Sequence, residues 1–393
     1  MPSARIGVAE SITRALETGS QPQVLVRTVT GLERLAAAEL VAARHRVIDL
    51  SKRQLIVVPS NATIITDPPR LADDLFVIKA AVTDPGRTRQ ALAVAMMAVR
   101  RRLRACPAAG ESVFAVSASF QGTRNYNRFD VEDLVGEALR ELTGTPYHSR
   151  RTGTPPPTER VDWRVILDGT TMWIGVRPFD VPLHRRDWRR QTVAGSLHPP
   201  VAAAMARLAQ IRTGHRVLDP FCGAGTLLRE AYNLMPEATY LGIDQAPDAI
   251  AAARANAPAH TSTSVHFRQG DARQLSVCVD RIVTNPPWDV RLGIGDIAPY
   301  LSQWRRILRP DGRVVAILNQ EQAAAMIRDA TWRVLDVYDI AVAGQHPRIV
   351  VAELRQCSGP AQVSSIVRRA VLQQAEHLVR LRHRSEGGGP ERW

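Results

Sequence analysis

Two short stretches in the second half of the chain bring together residue types that could do chemistry. The first is Asp219-Pro220-Phe221-Cys222-Gly223-Ala224-Gly225-Thr226, which ends an apolar run starting at Arg216 and precedes a helical pattern opening at Leu227. Glycines at such a turn let the backbone approach a ligand, and the amino end of the following helix attracts an anion. A dinucleotide fingerprint needs a small residue where Leu228 stands, so a nicotinamide cofactor is disfavoured. S-adenosylmethionine instead requires a polar pocket at this turn, an acid at the end of the next strand for its ribose hydroxyls, and an acceptor for its adenine amine. Asp244, closing Leu241-Gly242-Ile243-Asp244, and Asp271, between Gly270 and Ala272, meet those needs. The candidate cofactor residues are Asp219, Phe221, Cys222, Gly223, Gly225, Thr226, Asp244, Asp271 and Ala272. A plain strand-to-helix turn is the competing reading, and acids ending consecutive strands weigh against it.

The second stretch is Ile282-Val283-Thr284-Asn285-Pro286-Pro287-Trp288, at the end of a later apolar run. In parallel sheets, ligands lie outside the carboxyl ends of the strands, which would set this stretch beside the glycine turn. An exocyclic amine is hard to methylate because its lone pair is delocalised into the ring. The side-chain carbonyl of Asn285 and the backbone carbonyl of Pro286 could each accept one amine hydrogen and turn the lone pair towards a sulfonium methyl. The prolines Pro286 and Pro287 would stiffen the acceptors, and Trp288 offers a face for a base to stack on. No strong general base is needed, because the methylated aminium is acidic. Two prolines could also simply end a strand, with Trp288 in the core.

The elements that must position these residues follow from periodicity. From about Pro199, apolar runs alternate with helical patterns: Arg216–Phe221, Tyr240–Asp244, Val265–Gly270, Arg281–Thr284, Arg313–Leu318, Trp332–Val342 and Ile349–Leu354. This rhythm predicts a doubly wound α/β sheet of seven mostly parallel strands, and the last two runs, joined without a helix, imply one antiparallel edge strand. Residues 23–180 read as α+β. There a strand leads into a helix at Gly31, strand-like runs lie at Arg46–Leu50 and Gln54–Val58, and helical patterns cover Ala62–Val82 and Thr88–Leu103. Beyond them, Ser112–Phe120 reads as a strand, Val131–Leu142 as a helix, and Asp168-Gly169 as a hairpin turn. Val363–Leu381 has one apolar and one basic face, as in a docked helix.

Length and composition bound the class. The chain has 393 residues, 45% hydrophobic and 23% charged, as in soluble proteins of two or three domains. Its longest apolar run, Ala91–Val99, is about half a membrane span, and Glu10 and Glu17 interrupt any signal core, so a cytoplasmic protein is expected. Cys106, Cys222, Cys278 and Cys357 form no C-x-x-C pair, so neither a metal cage nor a disulfide framework is indicated. The net charge of +13 is carried almost wholly by arginine, with Lys52 and Lys79 the only lysines. Residues 216–355 hold 15 basic and 15 acidic side chains, so the excess lies outside the α/β part and suggests a polyanionic partner.

The turn Asp219–Thr226 with Asn285-Pro286-Pro287-Trp288 resembles the class I, Rossmann-like S-adenosylmethionine methyltransferases that modify amino groups of nucleobases. More narrowly, Pro182-Leu183-His184-Arg185-Arg186 and Ser196-Leu197-His198-Pro199-Pro200 resemble the join between THUMP and catalytic domains in the tRNA guanine-N2 methyltransferases. Asp162-Trp163-Arg164-Val165 through Gly175-Val176-Arg177 is similar to a closing THUMP hairpin, and Thr30-Gly31-Leu32-Glu33 to the start of the ferredoxin-like domain before it. Residues 1–22 read as a flexible leader and 356–393 as a basic helix with a disordered tail. The resemblance covers roughly residues 23–355 and implies a ferredoxin-like part over 23–104, a THUMP part over 105–180, a basic linker over 181–198 and a Rossmann-like methyltransferase domain over 199–355. It implies a monomer that grips tRNA by its 3′ end, and Arg150, Arg151, Arg177, Arg185, Arg186, Arg189 and Arg190 are candidates for phosphate contact. The family has tyrosine or phenylalanine where Trp288 stands. The alternatives are methylation of ribosomal RNA, a DNA amino-methyltransferase, and an RNA-binding protein without activity.

Overall fold

The computed structural model describes residues 2–104, 113–258, 264–288 and 294–355. The tail helix expected at Val363–Leu381, Cys106 and Cys357 lie outside them. The chain divides into two compact units, one mainly of residues 1–189 and the other mainly from Arg190 on.

The first unit is built on one eight-stranded sheet. Along the chain it runs α1 (Pro2–Glu17), β1 (Val24–Arg27), α2 (Glu33–Ala42), β2 (Arg46–Ser51), β3 (Gln54–Val58), α3 (Thr63–Thr66), β4 (Asp74–Thr83) and α4 (Arg89–Leu103). It continues with β5 (Phe114–Phe120), α5 (Arg128–Thr143), β6 (Tyr147–His148), β7 (Val161–Leu167) and β8 (Thr171–Val176). The sheet order is β2-β3-β1-β4-β8-β7-β5-β6. The helices α4 and α5 bring Leu92, Met96, Val99, Val131, Val135 and Leu139 onto Phe114, Val116, Val165 and Ile174. The β7–β8 hairpin forms as the Asp168-Gly169 pair requires. Gly169 takes φ 97°, and Asp168 accepts from the N–H groups of Thr170 and Thr171 at 2.9 and 2.8 Å.

Two expectations are corrected here. The leader is helical: α1 spans Pro2–Glu17 and sends Ile12 into the core at 2% exposure. The helical reading of Ala62–Val82 holds only for Thr63–Thr66, because Asp74–Thr83 is a ten-residue strand paired antiparallel with both β1 and β8. Leu75, Phe76 and Val77 are all buried, and a run buried on both faces loses the alternation that marks a strand.

The second unit comprises α6 (Pro199–Leu208), β9 (Arg216–Asp219), α7 (Thr226–Leu234), β10 (Thr239–Asp244), α8 (Pro247–Asn256), β11 (Val265–Gln269) and β12 (Val279–Thr284). After these come α9 (Ala298–Ile307), β13 (Leu308–Leu318), α10 (Gln320–Arg328), β14 (Trp332–Asp339) and β15 (Arg348–Leu354). The strand order is β11-β10-β9-β12-β13-β15-β14, with β9 to β13 parallel. The expected antiparallel strand is present, but one place in from the edge: β15 folds back from β14 into the gap beside β13 and pairs antiparallel with both. A direct turn can only reverse direction, so β15 opposes its neighbours wherever it inserts. Leu218, Ile282, Val314, Trp304 and Trp332 form the core on one side of this sheet. Chain order reverses about β9, so the carboxyl ends of β9, β10 and β12 open on one crevice.

Candidate active site

The strand β9 delivers Asp219 to that crevice, and the chain then turns through Gly223 and Gly225 into α7. Gly223 and Gly225 take φ 49° and 77°, and Gly225 is the N-cap of α7. Asp219 is buried and accepts from the Phe221 N–H at 3.1 Å; burial pushes its carboxyl up to about 7. Asp244, ending β10, accepts from the Gly223 N–H through one oxygen and from the Ala246 N–H through the other, both at 2.9 Å. The Cys222 N–H donates to the Ile243 carbonyl at 2.9 Å, so the ends of β9 and β10 are stitched together. No side chain fits at Gly242, where a Cβ would lie 2.5 Å from the Phe267 ring and 3.0 Å from Cys222. The Cys222 thiol is buried and its pKa is driven upward by that burial, which makes it wall rather than nucleophile. Phe221 meets the ring of Tyr300 at 5.2 Å between centroids. The buried hydroxyl of Thr226 has no partner among the described residues. Asp271 is less open than its position suggested: Arg273 binds it at 2.7 Å and lowers its pKa, and Ala272 is buried beneath.

The strand β12, buried along its length, ends at Thr284 and presents Asn285-Pro286-Pro287-Trp288. The Asn285 amide is asymmetrically committed. Its Nδ2 donates to the Gly195 carbonyl at 3.2 Å, while its Oδ1 is buried without a partner among the described residues. The next carbonyls are sorted in the same way. Gln322 Nε2 donates to the Pro287 carbonyl at 2.8 Å, and Asn319 Nδ2 donates to the Trp288 carbonyl at 3.3 Å. The Trp288 indole N–H is anchored on the Ile317 carbonyl at 3.2 Å, at the end of β13, which leaves the ring half-buried. Asn319 and Gln322 are the capping box of α10, and their remaining polar atoms bond each other's backbone N–H. Sequence reasoning overlooked Gly195, Asn319 and Gln322. The Asn-x-x-Gln spacing ahead of a helical run was readable as a cap, but nothing in it announced a grip on the Pro287 and Trp288 carbonyls.

The candidate phosphate-binding arginines divide sharply. Arg177 is 11% exposed in its side chain, forms ion pairs with Asp74 and Asp162, and lies over the Phe76 ring, so it is a core cation rather than a phosphate ligand. Arg151 pairs with Asp130 and Asp133, and Arg186 donates to the carbonyls of Leu183 and Arg70, both at 2.6 Å. Arg189 is half-buried and its pKa is lowered by desolvation. Arg150 is half-buried, and Arg185 and Arg190 are exposed. Among the described residues, Asp73, His184 and His198 alone form a cluster of metal-ligand type, and there His198 Nε2 is 2.5 Å from Asp73 Oδ1.

Comparison with known proteins bears on the family and the fold. Residues 186–348 match the family described as "RMKL-like, methyltransferase domain". The chain is 32% identical over 253 residues to the tRNA (guanine(6)-N2)-methyltransferase of Thermus thermophilus, across 62% of this chain and 73% of that protein. It is 33% identical over 153 residues to the U6 snRNA (guanine-N(2))-methyltransferase THUMPD2 of Bos taurus, across 38% of this chain and 30% of that one. The crystal structure of TrmN from Thermus thermophilus superposes with a TM-score of 0.72 at 27% identity, covering 85% of this chain and 100% of that one. The chain belongs to the tRNA (guanine-N2)-methyltransferase family of class I enzymes, whose methyl donor is S-adenosylmethionine.

Proposed function

We propose that this enzyme methylates the N2 amine of a guanosine in tRNA, with Asn285 Oδ1 and the Pro286 carbonyl accepting the two amine hydrogens. One observation carries the reading. Of the polar groups on Asn285-Pro286-Pro287-Trp288, the Asn285 Nδ2 and the Pro287 and Trp288 carbonyls are engaged internally, and Asn285 Oδ1 is buried with its capacity unused. A buried acceptor without a donor costs about 1–3 kcal/mol, which a bound amine recovers. Guanine N2 suits the pair, since both its hydrogens can be accepted at once and its lone pair is thereby turned out of the ring. The proton released after transfer leaves from an acidic aminium to Asn285 or water, so no strong base is required. Trp288, anchored by its indole N–H, supports the plane of the base.

The residues of the neighbouring crevice fit S-adenosylmethionine. Gly223 and Gly225 turn the backbone at φ 49° and 77° into the amino end of α7, Thr226 has an unused buried hydroxyl, and Asp244 is held by two backbone N–H groups with lone pairs to spare for ribose hydroxyls. When bound, that cofactor supplies an electrophilic methyl. Asp219 and Asp244 would set the turn that holds it, Phe221, Cys222, Gly223 and Ala272 would wall it, and Asp271 would face the adenine amine while shared with Arg273. In the first unit, the THUMP-like part and Arg150 and Arg185, with Arg190 of the second unit, would hold RNA by its backbone. The cytoplasm as site of action and a monomeric state belong to the same proposal; no described helix is long and apolar enough to cross a membrane.

The test is to incubate the protein with labelled S-adenosylmethionine and bulk tRNA, ribosomal RNA or small nuclear RNA, then digest to nucleosides. N2-methylguanosine from tRNA, absent with Asn285→Ala, is expected. Label only in another RNA would favour the second reading, to which the likeness to the U6 snRNA enzyme points.

A further inference from the structure

We propose that Asn256, at the end of α8, is a positioning residue for methyl transfer. It pins the segment Arg190–Gly195 so that the Gly195 carbonyl holds the Asn285 amide in one orientation. The proposal rests on the role of Asn285 given above. Asn256 is 1% exposed and every polar valence of its side chain is filled. Its Oδ1 accepts from the N–H groups of Arg190 and Gln191 at 2.8 and 3.0 Å, and its Nδ2 donates to the carbonyls of Gln191 and Ala224 at 2.8 and 3.0 Å. Only a primary amide can serve two N–H groups and two carbonyls at once; a carboxylate would face the Gln191 and Ala224 carbonyls with lone pairs. Ala224 lies in the glycine turn, so the same side chain ties the segment to the cofactor crevice.

From this anchor the segment has little freedom on its way to Asn285. The Val193 N–H donates to Ser196 Oγ at 2.9 Å and the Ser196 N–H donates back to the Val193 carbonyl at 3.0 Å. Gly195 takes φ 76°, and Val193 Cγ2 would be 3.5 Å from a Cβ placed on Gly223. The turn ends with the Gly195 carbonyl on Asn285 Nδ2 at 3.2 Å. That contact decides which end of the amide faces the substrate. If the carbonyl shifts, the amide can turn over and point its NH2 at an amine that needs an acceptor, which slows the reaction without removing the binding surfaces.

The experiment is a double-mutant cycle on the full-length protein, read as single-turnover methylation of tRNA at saturating substrates, with S-adenosylhomocysteine and tRNA affinities measured alongside. Asn256→Asp should slow transfer by about 10–100-fold while both affinities change by less than about 3-fold, a loss made only in the transition state. Combined with Asn285→Ala, it should add no further loss, because it acts through that residue. Should Asn256→Asp not fold, Ser196→Ala loosens the same turn from a half-buried position and should give the non-additive pattern with a loss of roughly 3–10-fold. Losses that multiply with Asn285→Ala, a wild-type rate, or a rate loss matched by weaker S-adenosylhomocysteine binding would overturn the positioning role. A wild-type rate for Asn285→Ala alone would instead remove the reading beneath it.

Discussion

The Asn285 amide illustrates how one side chain is assigned a direction. With Nδ2 given to Gly195 and Oδ1 left over, the amide is an acceptor at its free end, which is what an amine nucleophile requires. Asp219 shows the opposite condition, an acid in a place where charge is costly. Its carboxyl titrates near 7 because burial disfavours the anion. Between about pH 4 and pH 7 the folded protein therefore holds a proton that the unfolded chain has lost, and stability falls as pH rises through that window. Asp219→Asn keeps an acceptor for the Phe221 N–H and carries no charge, so its stability relative to wild type should improve from pH 5 to pH 8. Thermal melts at both values measure this, and a constant difference would show that Asp219 does not titrate there. At this scale the sequence was partly legible. Asn285 and Asp244 stood out by type and by position at a strand end, whereas Arg177 looked like any basic surface residue because its partner Asp74 lies 103 positions away.

At the level of elements, the loop after β12 is gripped from two sides, by the Gly195 turn and by the first turn of α10. Gln322 is 4% exposed and spends its Nε2 on the Pro287 carbonyl. Gln322→Ala strands that carbonyl, so a stability loss of about 1–3 kcal/mol is expected. A fall in kcat of roughly tenfold should accompany it, with little change in KM for tRNA. Denaturant melts and steady-state kinetics check both, and unchanged kcat would mean the loop needs no clamp. The parallel strands β9 to β13 were legible because each apolar run ends in turn residues and most are followed by a helical period, although the helix expected between β11 and β12 is absent and residues 270–278 join them as turn and loop. The strand β4 was not, since it is buried on both faces and its partners β1 and β8 lie on either side of it in the chain. The place of β15 was equally hidden: the short turn after β14 announces a reversal, but not the insertion beside β13.

Across the whole molecule, charge separates into cations that build the fold and cations left for a partner. Arg177 neutralises Asp74 and Asp162 in the first unit, and burial pushes the Asp74 carboxyl upward even so. Arg177→Ala should therefore cost stability, roughly 3–5 kcal/mol, by leaving the poorly exposed Asp74 carboxylate without its cation, while Asp162 keeps Arg160. Arg185 and Arg190 are exposed, and replacing both with alanine should leave the melting temperature unchanged. The slope of log affinity for tRNA against log salt should fall by about two in that variant. Filter binding over a salt series and a thermal melt of each variant check this division, and an unaltered slope would place the RNA elsewhere. The central claim concerns the amine acceptors, and single-turnover methylation of tRNA by Asn285→Ala, with S-adenosylhomocysteine affinity measured on the same protein, tests it most directly. The account predicts a rate loss of about 100-fold or more with affinity within about 3-fold of wild type. A rate within about 3-fold of wild type would contradict it.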